Sequence, residues 1–192
     1  SVVQNTMTPL FAYEDGMIIV AVFASSIERI QDLVTAAKIN NKYVAFSGRS
    51  LLKYTKIAQE MGYLNLYDIV IPIDKLNRYP REKIVCITTG TQGEPYSSLS
   101  LIAAEAHKHI KVEDGDMVIF SSSVIPGNEM SVTRMINNLY DLGAKMVGED
   151  KKLLHVSGHA SSEDLKLMYR LVKPKYFIPI HGEKRHLISH IK

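Results

Sequence analysis

Apolar residues along this chain fall into short continuous runs, each followed by a stretch of helix-like spacing. Residues 17–23 (MIIVAVF) are apolar almost throughout. A run so short and so rich in β-branched residues predicts a strand covered on both faces, as in a parallel sheet. Ser25 and Glu28 then have the spacing of a capping box and open a predicted helix with Ile27, Ile30, Leu33, Val34 and Ala37 inward. The strand-then-helix unit recurs at 43–46 and 51–61, at 84–87 and 99–106, and at 117–120 and 130–142, with a further strand beginning at 145–147. Ahead of these, Val2, Val3, Met7, Leu10 and Phe11 predict a short amphipathic helix that ends at the turn Glu14-Asp15-Gly16. Strands alternating with helices at this interval predict an α/β fold, a largely parallel sheet flanked by helices and joined by right-handed crossovers.

Beyond residue 152 the pattern changes. A helix over 162–172, capped at Ser161, leads to a predicted strand over 176–180 and a turn at His181-Gly182, and five of the seven histidines lie in 155–192. The predicted division is therefore a main domain, 1–152, and a terminal piece, 153–192, with a second composition break at Pro174 and the lysines around it.

Composition narrows the function classes only a little. With 192 residues, 46% hydrophobic and 22% charged, the chain reads as a globular protein, long enough to bury about 70% of its unfolded surface without cross-links. One cysteine, Cys86, lies inside an apolar run, which excludes a disulfide framework and points to a buried thiol in a reducing, cytoplasmic setting. A net charge of +3 permits an anionic partner without demanding one. No apolar stretch reaches the ~18 residues of a membrane span, so no membrane association is predicted. Ser1 stands where an initiator methionine would, and the chain reads as an excised piece.

Candidate chemistry gathers in loops. Ala24-Ser25-Ser26, residues 88–95 (TTGTQGEP) and residues 121–129 (SSSVIPGNE) each follow a predicted strand. In a parallel sheet such loops collect at the carboxyl edge, where ligands bind and helix amino-termini attract phosphate. His155 and His159 are four apart, but Gly158 and the missing glutamate argue against a helical metal motif. In a loop, both imidazoles, Ser157 and the amides of Ser157 and Gly158 can surround one phosphate, with a histidine placed for proton transfer. His181 ends a predicted strand, a position suited to a metal ligand or a catalytic group, with Glu183 available to orient it. His107, His109, His186 and His190 read as surface residues.

HVSGHAS (155–161) and IPIHGE (178–183), together with TTGTQGEP, SSSVIPGNE, FASSIERIQ (23–31) and SGRS (47–50), resemble the ribonuclease J family, the β-CASP group of the metallo-β-lactamase superfamily. The resemblance runs across nearly the whole chain. It implies a β-CASP domain over 1–152 followed by a return into the metallo-β-lactamase domain over 153–192. The implied parent is a zinc-dependent endonuclease and 5′-to-3′ exonuclease that acts on RNA in mRNA decay and rRNA maturation, cytoplasmic and homo-oligomeric. Carried over residue by residue, His159 matches the motif-B histidine of proton transfer and His155 its phosphate-contacting neighbour. Ala24, Ser25, Ser26, Val156, Ser157 and Gly158 match substrate-phosphate contacts, and His181 matches the motif-C metal ligand. Gln92 and Glu94 match a motif without an assigned role. The family's H-x-H-x-D-H ligands and its motif-A carboxylate are missing from these 192 residues, so a complete site for two zinc ions, and hydrolysis by this chain alone, are not expected. The competing reading is a stand-alone α/β module that binds a nucleotide or phosphate without hydrolysing it.

Overall fold

The computed structural model describes residues 2–147 and 160–178, which fall in two compact units, 1–156 and 157–192. In the first, helix α1 (Val2–Ala12) precedes strand β1 (Ile18–Ala21), helix α2 (Ile27–Ile39), strand β2 (Tyr43–Ser47) and helix α3 (Arg49–Glu60). Two short 3₁₀ turns, Ile73–Arg78 and Arg81–Lys83, lead to β3 (Ile84–Thr88), α4 (Ser98–Ala103), β4 (Met117–Phe120), α5 (Glu129–Asp141) and β5 (Lys145–Val147).

All five strands are parallel, in the order β2-β3-β1-β4-β5. The β1, β3 and β4 strands are buried at every position, which is why they appear in the sequence as unbroken apolar runs. Alternate residues supply two cores. Ile18, Val20, Val44, Val85, Ile87 and Ile119 pack beneath α1, α2 and α3, with Met7, Phe11, Leu33 and Leu51. Ile19, Ala21, Cys86, Val118 and Phe120 pack beneath α4 and α5, with Leu99, Ile102, Val132 and Leu139. Each fully buried large apolar side chain stabilises the fold by about 1.5–3 kcal/mol relative to exposure. The two cores also record the winding. The β1-to-β2 connection through α2 crosses one face toward one edge, and the β3-to-β4 and β4-to-β5 connections through α4 and α5 cross the other face toward the opposite edge, so these three crossovers have one sense.

At the amino ends of the strands, the nearly buried Asp116 is a hub. Its carboxylate accepts hydrogen bonds from the Met17 amide at 2.8 Å, the Glu113 amide at 2.9 Å and Arg81 Nε at 3.0 Å, with a further Arg81 contact through Nη2. It ties the starts of β1 and β4 to the segment entering β3.

Three local expectations need correction. The N-cap of α2 is Ser26, with no side-chain cap, so Ser25 and Glu28 form no capping box. Helix α4 stops at Ala103 rather than continuing to 106, because Glu105 enters the left-handed region at φ 54° and the Ala106 amide reaches back to the Leu101 carbonyl at 2.8 Å, a Schellman closure. Residues 176–178, expected to begin a strand, are not in one, and no strand among the described residues pairs with them. In the second unit, α6 (Ser162–Val172) does begin at Ser161, where a full capping box with Asp164 forms. Those bonds hold the Asp164 carboxyl below its ordinary pKa.

Candidate nucleic-acid interface

The chain turns to opposite faces of the sheet after β1 and after β4, its neighbour. That divergence opens a crevice at the carboxyl edge, the usual ligand position in an open α/β sheet. The three loops singled out from the sequence leave the adjacent strands β3, β1 and β4, whose spacing is about 4.8 Å. The ladder runs into the loops: the Val22 amide donates to Thr88 O at 2.9 Å and the Ser121 amide to Ala21 O at 3.0 Å.

Ala24 and Ser26 are partly exposed and Ser25 is exposed. No side chain caps α2, a helix of 13 residues; the Ile27 amide donates to the Ser25 carbonyl at 3.0 Å, and the helix dipole favours an anion beside the Glu28 amide. Arg29, one turn into α2, donates from Nη1 to the Ser121 carbonyl at the end of β4. Burial lowers the Arg29 pKa, opposed by Asp32, yet a guanidinium keeps its proton. A fixed cation thus lies at the seam between β1 and β4. Ser122 Oγ, beside it, is buried with no hydrogen-bond partner among the described residues.

Gln92 has a structural role that its motif did not reveal. Its side chain is buried, and Oε1 accepts from the Ile125 amide at 2.8 Å and from Asn128 Nδ2 at 3.3 Å. Nε2 donates to Ser123 O at 3.0 Å. The loop after β3 is thereby riveted to the loop after β4. Glu94 closes its own turn by accepting from the Gln92 amide at 3.1 Å. Gly93, at φ 68°, lies so close to α5 that a Cβ would come within 2.7 Å of Ser131 backbone, leaving no room for a side chain.

His107 was expected at the surface and is instead half-buried behind this edge. Its Nδ1 faces the His109 and Ile110 amides at 3.2 and 3.0 Å, and its Nε2 lies 2.9 Å from Ser47 Oγ, which also contacts Ser98 Oγ. Two amide donors at Nδ1 fix the neutral tautomer with the proton on Nε2. Burial, and then the neighbouring His109, lower its pKa. An imidazole already donating to Ser47 cannot act as its base, so the Ser-Ser-His chain is a lock on the start of α4. No sequence signal distinguishes this histidine from a surface one.

His155, Val156, Ser157, Gly158, His159 and His181 lie outside the described residues, as do His186 and His190. Among the described residues no three His, Cys, Asp or Glu side chains converge on a metal position, whereas a protein zinc site takes at least three such ligands. The described part of the chain therefore does not by itself fit a zinc centre. Cys86 is buried against Met17 Sδ at 3.6 Å, and burial pushes its thiol up to about 12.

Fold and edge together define an open parallel α/β domain, the class of fold in which ligands bind outside the carboxyl ends of the strands. Comparison with known proteins gives the family. Residues 15–139 match the model described as ribonuclease J, beta-CASP domain, and residues 144–192 match that of the Zn-dependent metallo-hydrolase RNA specificity domain. The chain belongs to the ribonuclease J β-CASP family. It is 44% identical over 174 residues to ribonuclease J of Thermus thermophilus, covering 91% of this chain and 30% of that protein. Against ribonuclease J of Corynebacterium glutamicum it is 45% identical over 187 residues, 96% of this chain and 26% of the relative. Against ribonuclease J2 of Bacillus subtilis it is 40% identical over 176 residues, 91% and 32% respectively. The chain thus spans about a third or less of the length of these relatives. Family membership removes the reason for reading it as an unrelated phosphate-binding module. No helix among the described residues is long and apolar enough to cross a membrane.

Proposed function

We propose that the chain is the phosphate-gripping part of a zinc-dependent ribonuclease, with residues 1–152 as its β-CASP domain and 153–192 as its return into the metallo-β-lactamase domain. The observation that carries this reading is the coincidence of the family match over 15–139 with an edge where β1, β3 and β4 deliver their loops together. Ala24, Ser25 and Ser26, with the amino end of α2, hold a phosphate of the RNA backbone. By the family resemblance, Val156, Ser157, Gly158 and His155 are further phosphate-contacting residues of the parent, and His159 passes a proton at its scissile phosphate. His181 is the chain's contribution to a zinc site whose remaining ligands are carried elsewhere in the parent. Hydrolysis of RNA from within and from the 5′ end, in mRNA decay and rRNA maturation, belongs to that parent. The single buried thiol suits a reducing cytoplasm, and sedimentation of the parent tests its self-association.

In this division of labour the described residues bind and orient; they do not activate water. Hydrogen bonds from hydroxyl and amide to a charged phosphate are each worth about 1.5–3 kcal/mol. Replacing Ser25 and Ser26 together by alanine in the parent enzyme therefore raises KM for RNA by roughly tenfold or more, with the metal content unchanged. Unaltered RNA hydrolysis by the double variant would remove Ser25 and Ser26 from the phosphate site.

A further inference from the structure

Residues 94–97 form a hydrogen-bonded β-turn, in which the Ser97 amide donates to the Glu94 carbonyl at 3.1 Å. Pro95 occupies the second position, and Tyr96 occupies the third at φ 61°. A proline followed by a positive φ is the geometry of a type II turn, whose third position favours glycine or asparagine because a side chain there is strained. A bulky ring stands there instead, and it is 89% exposed. Local structure gives no reason for it: the ring fills no core and has no aromatic or cationic partner among the described contacts.

The turn is nonetheless anchored. Gln92 rivets its loop to the β4–α5 loop, Gly93 abuts Ser131, and Ser97 continues into the N-cap of α4 by accepting from the Ser100 amide at 3.4 Å. On the adjoining segment Val124, Ile125 and Met130 are also exposed, 39%, 45% and 80%, and the exposed Arg134 follows one turn along α5. An aromatic ring, small apolar surface and a nearby cation on rigid loops make up the stacking platform that proteins offer to single-stranded nucleic acid.

We infer that Tyr96 is a base-stacking residue: its ring takes a nucleobase of a single-stranded RNA whose backbone phosphate rests on the Ala24-Ser25-Ser26 loop. This rests on the ribonuclease reading and adds to it a contact to a base that is tolerant of sequence, since every base presents a π-face. The hydrogen-bonded turn fixes the Tyr96 backbone before the strand arrives, so on binding only the ring's own torsions need ordering.

The test uses the full-length parent with its metal and a hydrolysis-resistant phosphorothioate RNA of 12 nucleotides, with affinity read by fluorescence anisotropy. Tyr96→Gly suits the turn at least as well as tyrosine, so the parent's melting temperature should hold or rise. RNA affinity should fall by roughly 5- to 150-fold, the equivalent of about 1–3 kcal/mol for one stacked base. Tyr96→Ala should lose similarly, while Tyr96→Phe and Tyr96→Trp retain affinity. Removing the base at one position of the oligonucleotide should weaken wild-type binding by the same factor and have no further effect in Tyr96→Ala. Wild-type affinity in both truncated variants, or losses that add at every abasic position, would overturn the proposal while leaving the ribonuclease reading intact. Absence of RNA binding and hydrolysis in the wild-type parent would instead overturn the reading beneath it.

Discussion

Replacing Gln92 by alanine tests whether the ligand edge is one rigid unit or three independent loops. The substitution removes the acceptor of the Ile125 amide (2.8 Å) and the donor to Ser123 O (3.0 Å), besides two weaker contacts at 3.3 Å to Asn128 and Thr91. Each well-formed bond contributes about 0.5–1.5 kcal/mol net. Residues 123–127 are exposed, so water can reach part of what is uncovered and the full penalty of a buried orphan does not apply. Adding the packing of a side chain only 5% exposed, the expected loss is about 2–3 kcal/mol. In a chain of this size that lowers the melting temperature by roughly 4–12 °C. Urea and thermal denaturation of wild type and Gln92→Ala measure the global term. Hydrogen exchange at the Ile125 amide measures the local one and should speed by about tenfold for each 1.4 kcal/mol of lost protection. Gln92→Glu keeps an acceptor for Ile125 but loses the donor to Ser123 and brings a carboxylate near Glu94. It should be no better than alanine, and worse as the pH rises above the ordinary carboxylate range. A Gln92→Ala protein within about 0.5 kcal/mol of wild type, with unchanged exchange at Ile125, would refute the rivet.

Three further outcomes follow from the same geometry. Asp116→Ala strips partners from the Met17 and Glu113 amides and from Arg81. Breaking a buried ion pair costs about 3–5 kcal/mol, but Arg81 is 31% exposed and can rehydrate, so denaturation should show the lower part of that range; a loss below about 1 kcal/mol would dismiss the hub. The His107 pKa is lowered in the fold from its ordinary 6.5, so the unfolded chain binds more protons and stability falls as the pH drops below about 6.5 toward the lowered value. His107→Asn offers an uncharged acceptor to the same amides and should flatten that part of the pH profile measured by urea midpoints at pH 7.5 and 5.5, whereas identical slopes would assign the dependence elsewhere, with His109, its ring 6.4 Å away, as the first alternative. Cys86, its thiol pushed up to about 12 by burial, should resist a thiol-specific disulfide reagent in the native chain and react on unfolding; prompt native labelling would contradict its place in the core.

How much of this was legible beforehand depends on where each residue's determinants lie. The strands were readable because β1, β3 and β4 are buried on both faces and so carry unbroken apolar runs. The sequence spacing points to a cap at Ser25, one residue before the actual N-cap Ser26, because capping is decided by the backbone dihedrals of the turn that begins at Phe23. The end of α4 depends on Glu105 adopting a left-handed conformation without glycine to announce it. Gln92, Arg29 and Asp116 act across 31 to 99 residues of sequence, and no local pattern encodes such partners. His107 and His109 look alike in sequence, and both are half-buried rather than exposed; only the Ser47 and Ile110 contacts distinguish the lock from its neighbour. The span 61–83 gave no periodic signal, since it folds as two 3₁₀ turns and a single bridge from Val70 to Val44.

The central claim is that this chain supplies the phosphate grip and the proton-transfer histidine of a metal-dependent ribonuclease, and only one metal-ligating histidine. Zinc content and RNA turnover of the full-length parent carrying His159→Ala or His181→Ala test it together. His159→Ala should lose most hydrolysis while its zinc stays near the wild-type level, and His181→Ala should lose both. Equal zinc loss in the two variants, or full turnover in His159→Ala, would contradict the account.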